Sequence, residues 1–209
     1  NELIREALDH GFLVSYNHPA WSLQHYPDYA GLEGVTAVEV YNTGSILEGY
    51  LLDGDEQVLD DFLYLGKRAY PVAGDDSHGI ADCCGGWVQF RAPALTYGDI
   101  MHAFAVGDFY ASWGPEITAL YIEDGILHVD CTDTVAVCLR TDIRLSGNTT
   151  APAGEMLSHC TFDLRGWLEQ SRTLGCEERA FFRLTLVGPT GAKALTRGYF
   201  ADELSGMTF

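Results

Sequence analysis

The first half of the chain alternates short apolar runs with stretches of helical spacing. Residues 12–16 (FLVSY) are a compact apolar run that stops at Asn17-His18-Pro19, and residues 35–41 (VTAVEVY) are a second that stops at Asn42. Residues 55–65 (DEQVLDDFLYL) place Val58, Leu59, Phe62 and Leu65 at the i, i+3/4, i+7 spacing of an amphipathic helix, with Gly66 as its C-terminal stop. A third strand is expected over 70–73, ending at Gly74-Asp75-Asp76-Ser77-His78, and a fourth over 87–90. Thr96 then has the character of an N-cap for a helix that carries Tyr97, Ile100 and Phe104 on one face and ends at Gly107. Strands regularly separated by helices predict an α/β sheet of the barrel type.

The second half has a different rhythm. Residues 117–123 and 126–131 flank Asp124-Gly125, the signal of a hairpin closed by a type I′ turn. Further strand-like runs cover 135–140, 160–164, 181–187 and 192–200, the last two joined by Gly188-Pro189-Thr190-Gly191. Several short strands with turn signals predict a small β-sandwich. The change falls at Trp113-Gly114-Pro115, so residues 1–115 are expected to form part of a β/α barrel and 116–209 an all-β domain. The fold class expected is therefore α/β plus all-β.

Composition narrows the partners. Of 209 residues, 47% are hydrophobic, enough to bury a core and too many for a disordered chain. The apolar runs are far too short to span a bilayer, so no membrane partner is expected. Twelve Lys and Arg against 30 Asp and Glu give a formal charge of −18. Such a surface repels phosphate backbones, and a long nucleic acid is not expected as partner. A small phosphorylated molecule remains compatible, because bound metal ions can supply positive charge locally. The six cysteines form no C-x-x-C pair. An even count is compatible with disulfides, but the chain is large for a disulfide scaffold and shows no signal peptide, so reduced thiols and a cytoplasmic location are expected.

Polar residues interrupt the pattern where the barrel-like strands end, which is the rim at which α/β barrels build active sites. Three strand ends deliver His18, then Glu39 with Asn42, then Asp76 with His78. Carboxylate and imidazole donors suit Zn, Mn or Fe. In Asp76-Ser77-His78 the period of two puts both ligand side chains on one face. An isolated triplet of this kind is better read as a solvated turn; its position after an apolar strand, beside similar strand ends, reverses that. Asp75 falls on the opposite side and is left out. Pro19 stiffens the backbone after His18. Glu39 lies within an apolar strand, where a buried carboxylate is costly unless paired or metal-bound, and edge exposure is an equal alternative. Asn42 is a strand-end cap or a substrate contact, and His25, close behind the His18 loop, is a second candidate contact. The adjacent Cys83 and Cys84 either line the site or are packed residues.

These residues carry a resemblance. NHPAW (17–21), VTAVEVYN (35–42), GDDSHG (74–79) and LTYGDIMHAFAVGDFYASWGPEI (95–117), in that order, resemble the later part of PHP-domain proteins, and in particular bacterial two-domain members whose PHP domain precedes a β-sandwich. FFRLTLVGPTGAKALTRGYF (181–200) is similar to the closing hairpin of those sandwiches. The resemblance implies a seven-stranded β/α barrel holding two or three divalent metal ions, Mn, Zn or Fe, and a phosphoesterase acting on a small phosphorylated substrate through metal-activated water. It matches Asp76 and His78 to the family's final metal pair, His18 to a metal histidine, and Glu39 to a recurrent acidic strand position. No catalytic base is assigned. The family's opening H-x-H motif is absent. Either this chain is a fragment whose N-terminal barrel segment lies in another chain or was lost to proteolysis, or it has lost half of the metal site; the cost of unpaired strand edges favours the fragment. The alternatives to a phosphoesterase are a metal-dependent hydrolase of a non-phosphate bond and a non-catalytic binding module.

Overall fold

A computed structural model describes residues 1–49 and 55–204. The chain divides into two compact units, Asn1–Trp113 and Gly114–Phe209.

The first unit opens with helix α1 (Glu2–Asp9), followed by β1 (Ser15–Tyr16), the short α2 (Tyr26–Tyr29), β2 (Ala37–Asn42), α3 (Thr43–Leu47), α4 (Asp55–Tyr64), β3 (Tyr70–Gly74), β4 (Trp87–Phe90), α5 (Tyr97–Val106) and β5 (Phe109–Ser112). Strands β1, β2 and β3 pair side by side in parallel with β2 in the middle. Central β2 is buried on both faces, as strands of parallel sheets are: Ala37, Val38 and Val40 are core residues. Helix α4 packs against β2 and buries Val58, Leu59, Phe62 and Leu63, the expected face shifted by a residue at its C-terminal end, where Leu65 is exposed. Gly66 adopts φ +75°, the left-handed stop anticipated for this helix. Strands β4 and β5 form an antiparallel pair. None of these described strands closes a barrel: where a β/α barrel was expected for residues 1–115, the described residues hold three parallel strands with helices and the antiparallel pair β4–β5.

Two local expectations need correction. The run at 12–16 yields only the two residues of β1. Gly11 turns to φ +80° and the Phe12 amide donates back to the Ala7 carbonyl, so the start of the run completes the C-terminal turn of α1 and leaves Phe12 65% exposed. Helix α5 begins as expected, with Thr96 Oγ1 accepting from the Asp99 amide and Gly107 ending it at φ 75°. Tyr97, however, is 83% exposed. The helix presents Ala103 and Phe104 instead: Ala103 is buried, and the Phe104 ring stacks on Phe109 and meets Phe90. The apolar stripe thus starts later in the helix than its first residue.

The second unit contains β6 (Glu116–Glu123), β7 (Ile126–Thr134), β8 (Ala136–Thr141), β9 (Gly147–Thr150), β10 (Leu157–Asp163), α6 (Arg165–Thr173), β11 (Phe181–Val187), β12 (Lys193–Thr196) and β13 (Tyr199–Phe200). One antiparallel sheet has the order β10-β7-β6; in another, β11 pairs with β8 and β12, β9 joins β8, and β13 pairs with β11. Asp124 (φ 49°) and Gly125 (φ 77°) both lie in the left-handed region required by a type I′ turn, and Glu123 faces Ile126 across it. Alternate residues Leu127, Val129 and Cys131 of β7, Cys160 and Phe162 of β10, and Leu184 and Leu186 of β11 supply the core. The unit is not all-β as expected for 116–209: α6 buries Trp167, Leu168 and Ser171. Its signal was present, since Leu164, Trp167, Leu168 and Ser171 have helical spacing.

Candidate functional site

All three parallel strands run in one direction, so the segments that follow them leave the same edge of the sheet. That edge carries His18 after β1, Asn42 at the end of β2, and Asp76 and His78 after β3.

The loop after β1 is shaped by carboxylates from elsewhere in the unit. The His18 amide donates to Glu39 Oε2 at 2.7 Å, and the Ala20 amide to Asp55 Oδ1 at 2.8 Å. Trp21 Nε1 donates to Glu48 Oε2 at 2.9 Å. The His18 ring pairs through Nδ1 with Ser22 Oγ at 2.9 Å and meets the Trp21 ring edge-on, centroids 5.2 Å apart. His18 itself has φ 35°, a conformation that a non-glycine residue before proline adopts only when its surroundings impose it.

Glu39 is buried, with 8% of its surface exposed, which decides between the two readings of this strand position. Its Oε2 accepts from the His18 amide and from Asn42 Nδ2 at 3.1 Å. Asn42 Nδ2 also donates to Asp76 Oδ2 at 3.3 Å, while its Oδ1 accepts from the Ser45 amide and caps α3. Asn42, expected as a strand-end cap or a substrate contact, is thus the N-cap of the helix that follows β2 and also a bridge between two carboxylates. Burial pushes the Glu39 carboxyl above its ordinary pKa and the negative Asp76 pushes the same way, against hydrogen bonds from Asn42 and the His18 amide.

Asp75 and Asp76 diverge, but not through strand alternation: both lie beyond the end of β3, and Asp76 turns to φ 48°, so the period of two expected over Asp76-Ser77-His78 does not hold. Asp75 accepts from Thr43 Oγ1 at 2.7 Å and from the amides of Cys84, Gly85 and Gly86 at 2.6, 2.9 and 2.9 Å. Burial opposes its ionisation, but these four donors together hold it below its ordinary pKa. The loop they fasten lies close against β2: a Cβ on Gly85 would sit 2.3 Å from Thr43 Oγ1, and one on Gly86 2.6 Å from the Tyr41 ring, whose own partner is the stacked ring of Trp113 at 4.6 Å. Asp76 has φ 48° and is exposed. His78 is exposed as well; its amide donates to Asp82 Oδ2, and its Nδ1 donates to the Asp76 carbonyl at 2.7 Å, which leaves the Nε2 lone pair outward.

Of the expected site residues, His18, Glu39, Asn42 and Asp76 belong to one hydrogen-bonded cluster, and His78 is tied to it through the Asp76 carbonyl. His25 takes a different position. It is the exposed N-cap of α2, its amide bonded to Asp28 Oδ2. Cys83 and Cys84 are exposed free thiols, not packed residues. The sequence reading missed Asp55, Glu48 and the fastening role of Asp75, all of which act on loops distant in sequence. By type, two carboxylates and two imidazoles fit a divalent ion. As arranged, no three His, Cys, Asp or Glu side chains among the described residues converge closely enough to hold one. Among the described residues no helix is long and apolar enough to cross a membrane. Comparison with protein-family models, with curated proteins and with solved structures finds no match to this chain.

Proposed function

We propose that the chain carries part of the site of a metal-dependent phosphoesterase of the PHP type, the first unit contributing a segment of the β/α barrel and the second a β-sandwich. The observation that carries this reading is the shared end of the sheet: three adjacent parallel strands lead to His18, to Asn42, and to Asp76 with His78, and Glu39 inside β2 reaches the His18 amide and Asn42 by hydrogen bonds. His18, Asp76 and His78, with Glu39 as a further carboxylate, are the residues that would have to draw closer together than they stand here to hold a divalent ion, Mn, Zn or Fe; the ion would supply Lewis acidity and an activated water. The chain's own groups prepare those donors. Nδ1 of His78 is committed to a carbonyl, Nδ1 of His18 to Ser22, and Asn42 holds one Asp76 oxygen, so each donor keeps a free atom. Asn42 is the candidate contact for a small phosphorylated substrate; His25, at the N-terminus of α2 and outside the hydrogen-bonded cluster, is a second candidate from the sequence alone.

The resemblance assigns the remaining metal ligands to an upstream segment. The test is hydrolysis of p-nitrophenyl phosphate with Mn²⁺, by this chain and by a form extended at its N-terminus. Little turnover by the first, robust turnover by the second, and a loss of at least 100-fold in Asp76→Asn or His78→Ala of the extended form are expected. Equal robust rates would make the residues described above a whole site. No turnover by either, across a wide ester panel, would overturn the phosphoesterase and favour a binding module.

A further inference from the structure

A second group of chemistry-bearing side chains lies on the sheet β10-β7-β6, within the second unit. In β7, Leu127, Val129 and Cys131 face the core, so His128 and Asp130 lie on the opposite face. The register sets His128 between Tyr121 of β6 and Thr161 of β10, and Asp130 opposite His159 of β10. Tyr121, His128, Asp130 and His159 therefore share one outer face of three adjacent strands.

Their contacts are specific. His159 Nδ1 lies 2.6 Å from Asp130 Oδ1. A carboxylate offers no proton, so Nδ1 is the donor and the neutral imidazole keeps its lone pair on Nε2, the tautomer that binds metal. The His128 ring lies 5.7 Å from the His159 ring, centre to centre, and is stacked on Tyr121 at 4.7 Å with planes 2° apart. Two imidazoles sharing one ion at Zn–N distances of about 2.0–2.1 Å have ring centres roughly 4.5–6 Å apart, so the observed separation falls within the bite of a single ion.

We propose that His128 and His159 form a two-imidazole site for a borderline divalent cation, Zn²⁺, Ni²⁺ or Cu²⁺, with Asp130 as the positioning residue that fixes the His159 tautomer. Among the described residues no third His, Cys, Asp or Glu side chain joins them as arranged, so water would complete the coordination. Nitrogen donors favour these ions over Mg²⁺ and Ca²⁺. The chain's charge of −18 raises the local concentration of cations of any kind, and the imidazole pair selects among them. The site is independent of the strand-edge cluster of the first unit.

The experiment is titration of the full chain with Cu²⁺, read by calorimetry and by the nitrogen hyperfine structure of the electron paramagnetic resonance spectrum. His18→Ala/His78→Ala serves as the background, so that the other cluster is silent. One equivalent with a two-nitrogen spectrum is expected. His128→Ala and His159→Ala should each weaken binding at least tenfold and leave one nitrogen, and Asp130→Asn should weaken it about tenfold with both nitrogens retained. The positions are on a solvent-facing sheet surface, and unchanged far-ultraviolet circular dichroism verifies folding of each variant. Unaltered affinity and stoichiometry in the His128→Ala/His159→Ala double variant would overturn the site. Unaltered affinity in Asp130→Asn would overturn the positioning role.

Discussion

Glu39 sits in an environment at odds with its chemistry: a carboxylate in a buried strand, its pKa raised by burial and by Asp76. The sign of the consequence follows from linkage. A group whose folded pKa lies above its unfolded value favours the fold while protonated and disfavours it once ionised. Glu39→Gln should therefore match the parent in stability below the ordinary value of 4.5 and gain on it as pH rises through the raised value. Thermal melts of both proteins across that range measure this, and a difference independent of pH would contradict it. Asp75 behaves in the opposite sense. Its folded pKa is lowered, so its hydrogen bonds contribute above 3.8 and are lost as pH falls through the lowered value. Asp75→Ala should release the Cys84, Gly85 and Gly86 amides, raising their hydrogen exchange by about tenfold or more while β2 amides keep their protection. Equal protection in parent and variant would show that other contacts hold the loop. The sequence exposed the strand-end residues because a polar side chain breaks an apolar run, as at Glu39 and Asp76. It concealed Asp55 and the Asp75 loop because their partners, Ala20 and residues 84–86, are joined by no periodicity.

At the scale of elements, legibility followed the apolar pattern. Strands β3, β4 and β11 and helix α4 were visible because burial on a fixed period dictates their residues. Strand β9 (GNTT) has no apolar residue and exists through pairing with β8, so no pattern marked it. Helix α6 was hidden for another reason: Gly166, Ser171 and Thr173 lower its intrinsic propensity, and a strand-rich neighbourhood set the expectation. Tertiary packing makes this helix. Trp167 is 1% exposed, its Nε1 donates to Asp142 Oδ1 at 2.8 Å, and its ring meets Phe182 edge-on. Trp167→Ala should cost about 3–5 kcal/mol in denaturant unfolding of the second unit. Trp167→Phe keeps much of the ring, loses the hydrogen bond and leaves Asp142 short of a donor, so a cost of about 1–3 kcal/mol is expected. Costs below about 1 kcal/mol for both would mean that α6 contributes little to the core it covers.

At the scale of the molecule, charge is the dominant property. Thirty acidic against 12 basic residues repel one another in any compact state, and the rim of the strand-edge cluster adds to the same sign through Glu39, Glu48, Asp55, Asp75 and Asp76. Self-repulsion is larger in the folded than in the expanded chain, because folding brings the charges closer. Salt screens it: the Debye length falls from roughly 20 Å or more at 0.02 M to roughly 4 Å at 0.5 M. Raising NaCl across that interval should therefore stabilise the fold by about 1 kcal/mol, equivalent to a rise of about 2–4 °C in Tm for a chain of this size. The rise should flatten towards 0.5 M, where the Debye length is shorter than the spacing between most charges. A phosphorylated substrate of the proposed activity would meet the same field. If turnover is observed, kcat/KM for a dianionic ester should rise with NaCl over this range, whereas a basic binding groove would make it fall. A Tm that stays flat or declines between 0.02 and 0.5 M NaCl would mean that local ion pairs such as Arg197–Glu203 and Lys67–Glu33 outweigh the net repulsion, since screening weakens attraction and repulsion alike.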